Sequence, residues 1–266
     1  MDRLATNTPV RMSHSVRPES GIDESSPSSL PLDKAPHRIA GMFDAIAGRY
    51  DLLNRLLSAG LDQRWRVRAV DALGLNGGEV VLDLCTGTAD LALALAATGG
   101  ARVVGVDFAG EMLRCGHEKV REAGFSGQVR LVRGDAMCIP MSSAVVDAAT
   151  IGFGIRNVQT PADALTEINR VLRPGGRLTI VEFGFPRAWF LRATYQWYFR
   201  RVLPLIGKLV SRHQSAYSYL PASVGTFWEP DEFCQVLGSA GFVDVRAVPL
   251  TFGVVYLYEA TKPPHL

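Results

Sequence analysis

The sequence lacks the cysteine and histidine patterns that metal sites and disulfide scaffolds need. Its 266 residues include four cysteines with no CxxC pair and five scattered histidines. A chain of this length can bury a sizeable core without cross-links. We therefore predict no metal site and no disulfide framework, and we expect a reducing cytoplasm as its compartment.

Long uninterrupted apolar runs are also missing. No stretch of about eighteen apolar residues is free of charge, glycine or proline, so we predict no transmembrane helix. The N terminus has no apolar segment of the kind that a secretory signal requires. Residues 1 to about 36 are rich in Ser, Pro, Asp and Arg, which predicts a disordered tail before one domain over residues 37–266.

Beyond the tail, two amphipathic helices (39–57 and 62–73) precede an alternation of apolar strands and helices. Predicted strands are 79–84, 102–106, 129–132, 146–152 and 177–182, the last introduced by the turn Pro174-Gly175-Gly176, and two closing strands are 242–249 and 253–260. Helices at 89–97, 109–123 and 161–171 follow the first, second and fourth strands, and another is predicted at 229–240. This order predicts a doubly wound α/β fold with a mostly parallel seven-stranded sheet, an N-terminal helical cover and a helical insertion before the last two strands.

Acidic residues follow three consecutive strands of this predicted sheet. Asp83 ends the first strand and leads through Gly87 into a helix, Asp107 ends the second, and Asp135 follows the third. The loop lacks the GxGxxG pattern of a dinucleotide site, and a pyrophosphate would be repelled by these acids. The ligand favoured here is the cationic S-adenosylmethionine rather than NAD, which predicts a Rossmann-like class I methyltransferase.

Local interpretations of the same loop remain open. Asp83 can cap the loop that follows it, and Asp90 can serve as a helix-start residue favoured by the helix dipole. Cys85 is interpreted as a small side chain that fills space beneath the loop.

Several longer motifs resemble one enzyme family. They are Phe43–Asn54 (FDAIAGRYDLLN), Leu82–Leu91 (LDLCTGTADL), Gly152–Val158 (GFGIRNV), Leu172–Gly176 (LRPGG) and Ala216–Val224 (AYSYLPASV). Together the segment from Ile39 to Lys262 resembles the demethylmenaquinone and polyprenyl-methoxybenzoquinol C-methyltransferases of quinone biosynthesis. The resemblance implies S-adenosylmethionine as the cofactor and a polyprenyl quinol as the methyl acceptor.

The resemblance also implies which residues hold the cofactor. Carried over by motif, they are Thr88, Asp107 and the pair Asp135-Ala136. Gly152 stands where relatives commonly have a cofactor-contacting serine, so no side-chain hydrogen bond is expected there. Ala89 replaces a family glycine, so the loop has to accommodate one more Cβ.

Methylation of a ring carbon needs an electron-rich ring, which a deprotonated quinol provides. We hypothesise that Arg156 stabilises the phenolate and that Asn157 orients the ring oxygen, because both follow the fourth strand at the cofactor edge. Tyr50 and Asp51 of the covering helix are further candidates. Tyr50 can instead be a core aromatic, and Arg156 can instead form a salt bridge to a carboxylate such as Asp135 or Glu182.

The segment 187–228 is basic and aromatic, and no Asp or Glu occurs from Phe183 through Trp228. Such a composition favours peripheral contact with anionic lipids at the inner face of the cell membrane. Packing on the core or a homodimer interface is the alternative. The net charge of +2 is too small to predict nucleic-acid binding.

Among acceptors, overall likeness favours demethylmenaquinol over 2-methoxy-6-polyprenyl-1,4-benzoquinol, and another lipid or phenol stays open. A non-catalytic S-adenosylmethionine-binding protein is the alternative from a different class.

Overall fold

The secondary structure follows the predicted alternation. A computed structural model describes residues 34–98, 100–192, 201 and 214–264, with only the backbone of residues 214–218. The helices are α1 (Pro36–Leu57), α2 (Leu61–Leu73), α3 (Asp90–Ala97), α4 (Gly110–Glu122), α5 (Pro161–Val171), α6 (Gln214–Gly225) and α7 (Pro230–Ser239). The strands are β1 (Val80–Leu84), β2 (Arg102–Asp107), β3 (Val129–Arg133), β4 (Val146–Gly152), β5 (Leu172–Phe183), β6 (Val243–Leu250) and β7 (Val255–Thr261).

The seven strands form one sheet in the order β3-β2-β1-β4-β5-β7-β6. The pairs from β3 through β5 are parallel, whereas β7 runs antiparallel to both β5 and β6. This arrangement confirms the predicted seven-stranded, mostly parallel sheet. The parallel strands all end at one edge, and the acidic strand ends lie there.

Helices cover both faces of the sheet because alternate residues of each central strand point to opposite sides. Val81 packs in a buried cluster with residues of α2, α3 and α4. Its neighbour Leu82 belongs to a cluster on the other face that includes Phe233 of α7 and residues of α5.

The structure differs from the predictions at two places. The β5 ladder starts at Leu172, which pairs with Val146, and resumes at Arg177 opposite Ala148. The Pro174-Gly175-Gly176 turn therefore lies within the strand, where Gly175 and Gly176 also exchange backbone hydrogen bonds with Lys262. Helix α1 begins at Pro36, inside the segment predicted as a tail.

Parts of two predicted segments lie outside the described residues. These are residues 1–33 of the predicted tail, and residues 193–200 and 202–213 of the basic aromatic region. Across the part of the chain that the structure does describe, no helix has both the length and the hydrophobicity to cross a membrane.

Candidate active site

Asp107 connects two loops at the carboxyl edge of the sheet. Its Oδ2 accepts a hydrogen bond from the Gly87 amide at 2.8 Å, and its Oδ1 accepts one from the Ala109 amide at 2.9 Å. These contacts fix the β1–α3 loop beside the start of α4. Burial raises the pKa of the Asp107 carboxyl, although the amide donors oppose this effect.

Asp83 lies beneath the same loop. Its Oδ2 accepts a hydrogen bond from the Thr86 hydroxyl at 2.5 Å, while its Oδ1 is buried without a partner. Burial is the main cause that raises the pKa of Asp83 to about 7, and the Thr86 hydrogen bond partly offsets it. Asp83 is thus both the loop cap of the local interpretation and a carboxyl with spare hydrogen-bonding capacity.

Two adjoining cavities open at this edge. One has about 370 Å³ of empty space and the other about 420 Å³, and both are walled by Cys85, Asp107, Phe108, Asn157 and Val158. The first is also lined by Lys34, Asp135, Ala136 and Met137. The second is also lined by Phe43, Tyr50, Gly87, Met112 and Gly152.

Most of the predicted cofactor residues are brought together here. Gly87, Asp107, Asp135, Ala136 and Gly152 all line one or both cavities. Asp83 and Thr88 line neither of the two. Asp83 is buried and accepts a hydrogen bond from Thr86, and the hydroxyl of Thr88 donates to Asp51.

Thr88 takes part in a charged network that attaches α1 to the rest of the domain. Its hydroxyl donates to Asp51 Oδ1 at 2.6 Å, and Lys119 Nζ of α4 donates to Asp51 Oδ2 at 2.8 Å. Lys119 also pairs with Asp90, which in turn lies 3.5 Å from an Arg66 nitrogen. Asp51, a candidate for the chemistry, therefore serves this attachment in the structure, and Asp90 starts α3 with two basic partners.

A buried ion pair lies where β4 and β5 end. Arg156 lies in a short 3-10 helix, η1 (Ile155–Asn157), after β4, and its Nη1 lies 2.7 Å from Glu182 Oε1 at the end of β5. The same nitrogen donates to the Phe153 carbonyl at 2.5 Å, whereas Arg156 Nε is buried without a partner. The salt bridge that the sequence left open is thus present and joins Arg156 to Glu182, not to Asp135.

Asn157 and Tyr50 both reach the larger cavity. Asn157 Nδ2 donates weakly to the Phe153 carbonyl at 3.4 Å, and its Oδ1 is buried without a partner. Burial raises the pKa of the Tyr50 hydroxyl. Tyr50 therefore stays protonated at neutral pH and can donate a hydrogen bond.

Sequence reasoning missed several residues of the site. Phe108 lines both cavities, and its position directly after Asp107 could have indicated this. Cys85 was interpreted as a filler, yet it also lines both cavities, and burial raises the pKa of its thiol. A Cβ at Gly154 would lie 2.3 Å from Cys85 Cβ, so only glycine lets η1 approach the loop this closely.

Solved structures of known proteins share this fold. One is a SAM-dependent methyltransferase from Aquifex aeolicus, at 20% identity and TM-score 0.56, covering 85% of this chain and 98% of that one. Another is the cyclase SpnF, at 18% identity and TM-score 0.61, covering 85% and 96%. The sheet, its helices and these neighbours define a Rossmann-like class I methyltransferase fold.

Sequence comparisons identify one family within this fold. The model of the ubiE/COQ5 methyltransferase family matches residues 32–262. A ubiquinone/menaquinone biosynthesis C-methyltransferase from Geobacter sp. strain M21 is 47% identical over 87% of this chain and 99% of its own length. A demethylmenaquinone methyltransferase from Thermus thermophilus is 46% identical over 84% and 100%. The chain belongs to the ubiE/COQ5 methyltransferase family.

Replacement of Lys119 should loosen the attachment of α1. Lys119→Met leaves Asp51 and Asp90 without their shared cation, and both are less than one-third exposed. We expect the free energy of unfolding to fall by about 1–3 kcal/mol, between the values for surface and buried pairs. Urea denaturation followed by circular dichroism measures it.

Arg114→Met is the matched control, since Arg114 lies on the same helix and pairs with Glu111 and Glu118 at the surface. It should unfold close to the wild type. Equal midpoints for the two variants would show that the Lys119 network contributes nothing.

Proposed function

We propose that this chain transfers a methyl group from S-adenosylmethionine to a ring carbon of a polyprenyl quinol, with demethylmenaquinol as the acceptor. The observation that carries the proposal is the position of Arg156 and Asn157 beside an acidic cofactor cavity. The benzoquinol of ubiquinone synthesis is the alternative acceptor, since the Geobacter relative is named for both quinones and the Thermus relative for one.

The cavities suit a positively charged nucleoside. Asp107 lines both cavities and Asp135 lines one of them. Asp83, which has a carboxyl oxygen without a partner, lies beneath the β1–α3 loop and bonds to its Thr86. Asp107 accepts one amide at each oxygen, and each oxygen retains a second lone pair for a ribose hydroxyl. Gly87 and Gly152 place no side chain between the backbone and the ligand.

When bound, S-adenosylmethionine supplies a methyl group already activated on a sulfonium. The ring carbon would take this methyl group as the C–S bond electrons stay with sulfur, and the ring proton would pass to a solvent water. The protein is left to bind, orient and polarise the acceptor.

The acceptor-side residues fit these tasks. The guanidinium of Arg156 has a spare Nε–H for a phenolate, since Glu182 and the Phe153 carbonyl engage only Nη1 of this side chain. Asn157 Oδ1 is buried without a partner and can accept a hydrogen bond from a ring hydroxyl. Tyr50 is a donor and not the base, because burial raises its pKa.

A paired substitution separates the chemistry of Arg156 from its structural contact. Arg156→Gln with Glu182→Gln removes both charges and leaves no unpaired charge in the core. We expect methyl transfer from radiolabelled S-adenosylmethionine to reduced demethylmenaquinol to fall about 10²–10³-fold. Calorimetric affinity for S-adenosylhomocysteine should stay near the wild-type value.

Undiminished turnover in the double variant would show that Arg156 acts only as part of a structural salt bridge. Cofactor binding by the wild type without turnover of any quinol would favour the non-catalytic binding protein instead.

Cofactor binding should release a proton through Asp83. With its pKa at about 7 in the free protein, Asp83 is partly protonated at neutral pH, and a cationic ligand favours its ionised form. Calorimetry in two buffers of different ionisation enthalpy should detect this release near pH 7. Asp83→Asn should abolish it, while Asp163→Asn on the exposed face of α5 should leave it intact.

The same group affects stability with a defined sign. Because folding raises the pKa of Asp83 from 3.8 to about 7, its contribution to stability falls as pH rises through that interval. Asp83→Asn should remove this fall from the free energies of unfolding measured by urea denaturation.

We further propose that the basic aromatic region contacts the membrane that holds the prenyl tail, at the inner face of the cell membrane. Trp189 and Phe190 are 81% and 56% exposed at its start. Arg187 and Arg192 pair with Asp231 and Glu229, acids that lie just beyond the acid-free segment. These pairs neutralise part of the basic charge, so the exposed aromatics carry this contact.

Flotation with phosphatidylglycerol vesicles tests the contact. The wild type should float, and Trp189→Ser with Phe190→Ser should lose most of the bound fraction at low and high salt alike. Val67→Ser removes an exposed apolar side chain on α2 and should float as the wild type does. No flotation of the wild type would contradict the membrane proposal and favour core packing or a homodimer.

A further inference from the structure

A tyrosine of α6 has a buried hydroxyl with no hydrogen-bond partner. Among the described residues, only five buried side-chain atoms lack a partner. They are Asp83 Oδ1, Arg156 Nε, Asn157 Oδ1, Asn169 Nδ2 and Tyr219 Oη. A buried polar atom without a partner destabilises the folded state, so each of these atoms needs an explanation.

The position of α6 places this hydroxyl on the acceptor side. Helix α6 packs against η1, which carries Arg156 and Asn157, and against α1, which carries Tyr50. Burial raises the pKa of Tyr219, while the charge of Arg156 lowers it and that of Glu182 raises it again. Tyr219 is therefore protonated at neutral pH and lies within electrostatic range of the buried ion pair.

Two of the unsatisfied groups near the ion pair are hydrogen-bond donors, namely Arg156 Nε–H and the Tyr219 hydroxyl. Two donors that each lack an acceptor suit an oxygen that carries negative charge. A quinol that has lost one hydroxyl proton presents such an oxygen next to the carbon that is methylated. The third group, Asn157 Oδ1, is an acceptor and suits a ring hydroxyl instead.

We propose that the Tyr219 hydroxyl binds the activated ring oxygen of the acceptor, as a second donor beside Arg156 Nε. This inference rests on the proposed function, because it assigns a residue to the oxygen of a phenolic acceptor. Tyr219 lies in the motif 216–224, whose sequence by itself indicates only the family.

Loss of the Tyr219 hydroxyl should change the pH profile of kcat, which reports the pKa values of groups in the enzyme–substrate complex. In Tyr219→Phe, the acid limb should move up by about one pH unit, and kcat below that limb should fall about tenfold. The other groups around the site, Arg156, Glu182, Lys34 and Tyr50, are unchanged. Tyr256→Phe, whose hydroxyl lies 3.5 Å from the Phe185 carbonyl, is the matched control and should keep the wild-type limb.

A binding measurement separates this inference from the proposed reaction. The phenol 4-nitro-1-naphthol, whose anion absorbs visible light, is titrated on the protein with S-adenosylhomocysteine present. Its bound pKa should be about one unit higher in Tyr219→Phe than in the wild type. This result would support Tyr219 even if no quinol were methylated, whereas a wild type active on quinols with equal probe pKa values in both proteins would overturn it.

A second variant covers the case in which Tyr219→Phe does not fold. Incorporation of 3-fluorotyrosine at position 219 keeps the shape and makes the hydroxyl a stronger donor. The acid limb and the probe pKa should then shift down. An unchanged probe pKa would overturn the proposal.

Discussion

Burial of charge at the carboxyl edge of the sheet is the constraint on which the site depends. Asp83, Asp107, Arg156 and Glu182 are all less than one-tenth exposed. A buried charge has to be hydrogen-bonded or paired, and here the partners lie in the loops that follow the strands. Asp107 fixes the cofactor loop and the start of α4, and Glu182 fixes η1, so the same contacts that satisfy the charges shape the cavities.

Sequence reasoning could find the site residues whose positions follow from the direction of the strands. Gly87, Asp107 and Asp135 follow parallel strands, and parallel strands end at one edge, so their meeting could be predicted without coordinates. The hydrogen bond between Thr88 and Asp51 could not be predicted, because Asp51 lies on a separate helix whose position over the sheet is set by packing. Likewise, the sequence offered two carboxylates for Arg156, and only the pairing of β4 with β5 selects Glu182.

The fold by itself does not determine the chemistry. SpnF is named a cyclase and shares the architecture at a TM-score of 0.61, so the sheet and its crossovers support more than methyl transfer. What distinguishes this chain is the region in which the motifs 152–158 and 216–224 place Arg156, Asn157 and Tyr219 on elements that pack together. Function is therefore best tested at those side chains, and least at the cofactor loop.

Helix α1 joins the two sides of the site through consecutive residues. Adjacent positions on a helix point about 100° apart, so Tyr50 can enter the cavity while Asp51 points to Thr88 and Lys119. Thr88 lies in the cofactor loop, and Lys119 also holds Asp90 at the start of α3. The attachment that keeps α1 over the cavity is thus made to the cofactor loop itself.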